Sequence, residues 1–192
     1  YPGVMRPFRR RSRGPRGRRD DGAAAVEFAL VLPILVLILF GIIDYGLFFS
    51  NSISAQSGVQ TAARQAVVGN LDASCTPPAD AGSSSVEVGE LMCMVKKQTG
   101  AITGTDFVKV VFPTPNPADP VHPNGGWYVD HQLIVCEVIA VQGLTGYVPL
   151  PRHNGAVAIR SRIVTQIETV TTPKDDAGGE EANPPGDWGW CT

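Results

Sequence analysis

No charged residue occurs between Phe28 and Ile43, sixteen consecutive positions in a chain of 192. Signatures of enzyme chemistry are missing throughout: there is no G-x-S-x-G, no phosphate-binding G-x-x-x-x-G-K-[ST], no H-E-x-x-H and no EF-hand loop. The sequence therefore predicts a protein that is not an enzyme. Histidine is scarce. His122 lies in a Pro-rich connection, His153 beside a Gly turn, and His131 next to Asp130 in a predicted strand, where adjacent side chains face opposite ways. They read as surface or packing residues. Cysteine is limited to Cys75, Cys93, Cys136 and Cys191, with no C-x-x-C pair, which excludes the usual zinc spacings. No cofactor or metal is expected.

What is present is sharply divided by charge. Residues 1–22 carry eight arginines against two aspartates, so the whole-chain net charge of −2 hides a basic head on an acidic body. A dense arginine cluster directly before an apolar run marks the cytoplasmic side of a membrane segment and sends the following chain outward. The competing reading, a nucleic-acid-binding arm, is disfavoured because the cluster abuts the apolar run and lacks interleaved aromatics. No nucleic-acid partner is expected. Tyr1 is not an initiator, and Met5 is a credible start.

Five segments follow from composition. Residues 1–22 form a basic leader, expected to be disordered. Residues 23–49 are broken in charge only by Glu27 and Asp44, and hold enough residues for one transmembrane helix at ~1.5 Å per residue across ~30 Å of hydrocarbon. Pro33 falls inside it, which membrane helices tolerate. Asp44 and Tyr45 suit the outer interface. Residues 50–69, free of proline, extend the helix to a stop at Gly69-Asn70. Residues 70–170 form an exported head and 171–192 an acidic, Pro/Gly-rich tail.

Within the extended helix, Gly46, Ser50, Ser54, Gly58, Ala62 and Ala66 recur every four residues. Such a row admits close approach of another helix. Composition alone is an equal explanation, because ten of the 21 residues from 46 to 66 are Gly, Ala or Ser. A second helix is predicted after residue 84. Ser84 and Glu87 make its capping box, Val88, Leu91, Met92 and Val95 share a face, Lys96 and Lys97 fill the last turn, and Gly100 ends it. Strands are predicted over 106–112, 127–141 and 156–170. The last alternates, with Val157, Ile159, Ile163 and Ile167 on one face and Arg160, Arg162, Gln166 and Glu168 on the other. The tail is expected to be loosely ordered and pinned at Cys191, with Trp188 and Trp190 annealed to the body or touching a partner. Helices followed by strands with short returns predict an α+β fold with a small antiparallel sheet. Four cysteines in an exported region suggest two disulfides, the alternative being four free buried thiols. Of three possible pairings, Cys75 with Cys93 and Cys136 with Cys191 is favoured, since the first two are nearest in sequence and the second pair ties down the tail.

"GAAAVEFALVLPILVLILFGIIDYG" followed by "AARQAVVG" resembles the TadE-like pseudopilins of tight-adherence (Tad, Flp-type) pilus systems. The resemblance covers residues 19–69 and rests on the basic leader, the Gly before small residues, Glu-Phe, the Leu/Val-rich run and Asp-aromatic-Gly. It implies a pilin-like head and the processing of type IV prepilins. A membrane-embedded prepilin peptidase would cut after Gly22, leaving Ala23 as the new terminus, open to N-methylation, and Glu27 as the fifth mature residue, followed by Phe28. The implied partners are that peptidase, the major Flp pilin, other pseudopilins, the inner-membrane assembly platform and the lipid bilayer. The resemblance implies a minor pilin or pseudopilin, single-pass with its N-terminus cytoplasmic and its C-terminal domain outside, held in the membrane or incorporated in a pilus.

The cut gives Glu27 a physical task. It exposes an ammonium at Ala23, ~6 Å along the helix from Glu27. A carboxylate in a low-dielectric setting is costly and seeks a positive partner, its own amine or that of a neighbouring subunit. The second choice fixes axial register. The plainer alternative is an interfacial acid in a first helical turn, reaching headgroups and water. Two other architectures stay open: a signal-anchored extracytoplasmic binding module unrelated to pili, and a secreted protein cut after the weak "NSISA" site near residue 55.

Overall fold

The computed structural model describes residues 20–77, 81–114, 121–122, 125–141, 150, 152–153, 156–182 and 184–192. The arginine leader lies outside the described residues. Helix α1 runs from Asp20 to Val67 with Pro33 inside it. Strand β1 (Ala81–Ser83) and helix α2 (Val86–Thr99) follow, then β2 (Thr105–Val111), β3 (Gly126–Trp127) and β4 (Gln132–Ala140). The chain closes with β5 (Arg152–His153), β6 (Ala156–Gln166), β7 (Lys174–Asp175), β8 (Gly179–Glu181) and a 3-10 turn at Gly189–Cys191. The fold is α+β: a long apolar helix, a short helix and a small antiparallel sheet. Residues 1–41 and 42–192 form separate packing units.

In the first unit, α1 presents apolar side chains on every side. Phe28, Leu30, Ile34 and Leu37 are each more than 60% exposed, and the most apolar window of the helix buries nothing against protein. A helix that is hydrophobic all round, with nothing buried against it among the described residues, suits a lipid surround. It is the one helix among the described residues long and apolar enough to cross a membrane.

In the second unit, α1 becomes two-faced. Ala55, Val59, Ala62, Ala63 and Ala66 are fully or almost fully buried, while Ile53, Gln56, Gln60 and Arg64 stay exposed. The helix ends with Gly69 at φ 71°, and the Gly69 and Asn70 N–H groups return to the Ala66 and Gln65 carbonyls. The orphan carbonyl of Val67 accepts from Glu168 and Thr169. Helix α2 lays Val88, Leu91, Met92 and Val95 into the same core. Its N-cap is Ser85, whose hydroxyl accepts from the Val88 N–H. The predicted Ser84–Glu87 box is therefore one residue out. Ser84 instead donates to Asp176, and Glu87 pairs with Lys174. Gly100, left-handed at φ 51°, closes the helix on the Lys96 carbonyl.

The main sheet has the order β1-β8-β2-β4-β6-β5, with every pairing antiparallel. One face, carrying Val108, Val110, Leu133 and Val135, meets α1 and α2. The other, carrying Ile134, Cys136, Val138 and Ala158, is covered by Trp188 and Cys191.

Two expectations are corrected here. Residues 127–141 are not one strand. Asp130, at φ 66°, breaks the run, so Trp127 pairs with Lys174 in a separate two-stranded sheet and only Gln132–Ala140 joins β2 and β6. The tail is not loose. Strand β8 sits between β1 and β2, and Asp176, Glu181, Trp188 and Cys191 are all buried. The acidic composition misled because both buried carboxylates have strong partners. Asp176 accepts from Ser84, Ser85 and the Trp127 indole, and Glu181 accepts from Lys96 and the Val108 N–H.

Candidate functional site

The residues singled out for processing and assembly lie at the start of α1. Gly22 is in its first turn, where the N–H groups lack intrahelical acceptors. A Cβ built on Gly22 would meet nothing within 4 Å. Ala23 through Phe28 are all exposed, with Val26 and Phe28 above 60%. Ala23 and Glu27 are four residues apart on one helix and therefore on the same face. Glu27 is thus the one charged side chain between Gly22 and Ile43, and it stands on the exposed surface of an apolar helix.

The row of small residues divides. Gly58, Ala62 and Ala66 are buried inside the second unit. At Gly58 the end of α2 comes in so closely that a Cβ would lie 2.2 Å from Thr99 Oγ1 and 2.7 Å from its backbone nitrogen. Ser50 and Ser54 are half-buried, and Gly46 is exposed with nothing within 4 Å of a Cβ. At Gly58 the close neighbour is therefore the end of α2 of the same chain, while Ala62 and Ala66 lie in the shared core.

Next to Gly58 lies a group that sequence reasoning missed. In the sequence, Glu137 reads only as part of a strand. It is fully buried, facing the helices opposite Val108 and Ser161. Its Oε2 accepts from Thr99 Oγ1 at 3.0 Å, and Oε1 has no hydrogen-bond partner among the described residues. Burial pushes its carboxyl up to about 8, aided by the negative charges of Asp106 and Glu181 and opposed by Thr99 and Lys96. The one available signal was its position: an acid in a β-branched run, at the register of inward-facing Val135 and Ile139. Asn51 was missed as well. Its amide donates to the Thr103 carbonyl and hydroxyl, and its oxygen accepts from Ile102 N–H at 3.0 Å, which anchors the α2–β2 connection to α1.

The structure joins Cys75 to Cys93 and Cys136 to Cys191. The first disulfide lines an open groove of about 770 Å³ with Lys96, Lys97, Gly100 and Asp106. Both lysines are already engaged, Lys96 with Glu181 at 2.6 Å and Lys97 with Asp72 at 3.1 Å. Among the histidines, His122 stacks on Tyr128 with centroids 4.0 Å apart and His131 is buried beside the same ring. The described residues contain no cluster of three or more His, Cys, Asp or Glu able to hold a metal.

Among the described residues, one N-terminal helix is long and apolar enough to cross a membrane, and a disulfide-stapled α+β unit follows it in the chain, an arrangement consistent with a single-pass membrane protein. The chain is similar to one family over its first third: the family model described as TadE-like protein matches residues 22–64. The match points to Tad pilus machinery in general. No curated protein and no solved structure matches the chain.

Proposed function

We propose that this chain is a minor pilin or pseudopilin of a Tad pilus, a structural and assembly component. The arginine leader stays cytoplasmic, α1 enters the bilayer, and the α+β unit lies outside the membrane. A prepilin peptidase cuts between Gly22 and Ala23. Support comes from the placement of that bond in the first helical turn, the part of a helix that unwinds most readily to the extended form a protease holds. The observation that carries the reading is the constellation Gly22, Ala23, Glu27 and Phe28 inside the family-matched segment, with one carboxylate on an otherwise apolar exposed helix.

In this reading Glu27 pairs with a terminal ammonium, either its own Ala23 or that of the next subunit, and the second pairing sets the stagger between chains. Two carbon chains slide past one another in lipid with little preference, whereas a desolvated ion pair has one favourable offset. The partners are the peptidase, the major Flp pilin and other pseudopilins, and the inner-membrane platform.

Intact mass and N-terminal sequencing of the membrane-extracted protein test the cut. A mature chain beginning at Ala23 supports it. A chain that keeps its arginines points to the signal-anchored binding module instead, and a start near Gln56 to a secreted protein. Glu27→Ala is expected to insert normally and to lower pilus assembly, counted as surface filaments per cell. Unchanged piliation in that variant would remove the register role while leaving the cleavage reading standing.

A further inference from the structure

On the sheet face turned away from the helices, three buried N–H donors of two stacked side chains have no acceptor among the described residues. Arg160 on β6 stands opposite Val138 of β4, on the same face as Ala158 and Arg162. Its guanidinium carbon lies 5.3 Å from the centre of the Trp190 ring. Arg160 Nε, Arg160 Nη2 and Trp190 Nε1 are each buried, and none has a hydrogen-bond partner among the described residues. The other two tryptophans are satisfied, Trp127 by Asp176 and Trp188 by the Glu181 carbonyl.

The chemistry of the unpaired set is specific. Nε and Nη2 lie on one edge of the planar guanidinium, the edge that meets a carboxylate through two parallel N–H···O bonds. The Trp190 indole adds a third donor of the same polarity and no acceptor. The platform is also fixed in place. Trp190 sits in the 3-10 turn, whose Cys191 is bonded to Cys136, and Cys136 is the β4 residue opposite Arg162. Both residues are half-buried, while the three donor atoms themselves are buried.

We propose that Arg160 and Trp190 form a carboxylate-binding site. The carboxylate occupies the Nε/Nη2 fork of Arg160, and the Trp190 indole donates to one of the same oxygens. Arg162, exposed on the same face, adds positive charge to attract it. The ligand is either an acidic side chain of another polypeptide or a small free acid. The site does not depend on the pilus assignment.

The test uses the full chain in detergent micelles with ¹⁵N-labelled tryptophan. The Trp190 indole signal is assigned by its loss in Trp190→Phe. Sodium acetate, inorganic phosphate and an acetylated, amidated Gly-Asp-Gly peptide are titrated against sodium chloride at matched ionic strength. Saturable movement of the Trp190 signal with acetate and with the peptide is expected, weakened at least tenfold in Arg160→Lys, which keeps the charge and loses the fork. Tighter binding of the peptide supports a protein carboxylate, and equal binding a small acid. Saturation by phosphate but not by acetate overturns the proposal, as does a response no different from chloride, an internal water that acetate leaves undisturbed, or full affinity in Arg160→Lys. If circular dichroism shows Arg160→Lys unfolded, calorimetry on Trp190→Phe replaces it. There a severalfold loss of acetate affinity is expected, and unchanged affinity overturns the site.

Discussion

Glu137 is a carboxyl group that the fold keeps out of water and opposite a hydroxyl. Its ordinary value of 4.5 rises to about 8 in the folded chain, so between those values the folded state binds a proton that the unfolded state releases. Stability is therefore greatest, as far as this group is concerned, below pH 4.5, and it falls as pH rises toward 8. The full loss is a few kcal/mol, since each tenfold change in proton affinity corresponds to ~1.4 kcal/mol. Glu87 has the opposite sign: the Lys174 hydrogen bond holds it low, so its contribution is lost only as pH falls through the acid range. The two effects occupy different windows. Glu137→Gln keeps the shape and an acceptor for Thr99. In thermal melts of the full chain in micelles, it is expected to match the parent near pH 5 and to exceed it near pH 8.5 by several degrees. Parallel melting curves for the two proteins from pH 5 to 8.5 would show that folding does not raise the proton affinity of Glu137. The sequence placed this residue on a strand, but its burial depends on α2 ending over it at Thr99, a long-range fact that no local pattern contains.

At the level of elements, α1 is one helix with two environments, and the glycines in its second unit report them. A side chain at Gly58 collides with the backbone of Thr99, while one at Gly46 meets open space. Gly58→Ala therefore forces α2 away from α1 and is expected to cost about 1–3 kcal/mol, the usual range for overpacking. Gly46→Ala should leave the unfolding midpoint of the same domain unchanged. Urea melts of both variants check the pair, and equal midpoints would mean that the close approach at Gly58 is relaxed in solution. This also explains which parts of the fold were legible. The apolar run, the Gly69 and Gly100 stops, the inward face of α2 and the alternation of Ile159, Ile163 and Ile167 are local signals, written at the period of the element that uses them. The cap fell on Ser85 rather than the expected Ser84, and both hydroxyls donate to Asp176, which lies 91 residues away from Ser85. Strand β3 separated from β4 because Asp130 adopts a left-handed turn inside what reads as one β-rich run. The constellation Gly22, Ala23, Glu27 and Phe28 could be read from the sequence because it is a linear pattern on one segment. Arg160 and Trp190, 30 positions apart, become neighbours only through the fold.

At the scale of the whole chain, the acidic tail changes from an appendage to a structural layer. It supplies a strand between β1 and β2, buries two carboxylates and covers one face of the sheet with Trp188. These contacts are distant in sequence and carry a loop-closure cost that the Cys136–Cys191 bond removes from the unfolded state. That bond closes 55 residues, against 18 for Cys75–Cys93. In the chain-entropy account the longer loop is worth about 4 kcal/mol and the shorter about 3 kcal/mol. The tail also depends on its staple more directly, since Cys191 is buried against Ile134 and Val138 while Cys93 is only half-buried. The double variant Cys136→Ser, Cys191→Ser is expected to lose the larger share of stability. It should also release the tail before the rest of the domain melts, because β8 and Trp188 lose their anchor together. Tryptophan emission followed through a urea titration would show this as a red-shifting early phase, absent from the parent and from Cys75→Ser, Cys93→Ser. A single coincident transition by fluorescence and far-ultraviolet dichroism in all three proteins would mean that the tail is held by its strand pairing and buried carboxylates without the disulfide.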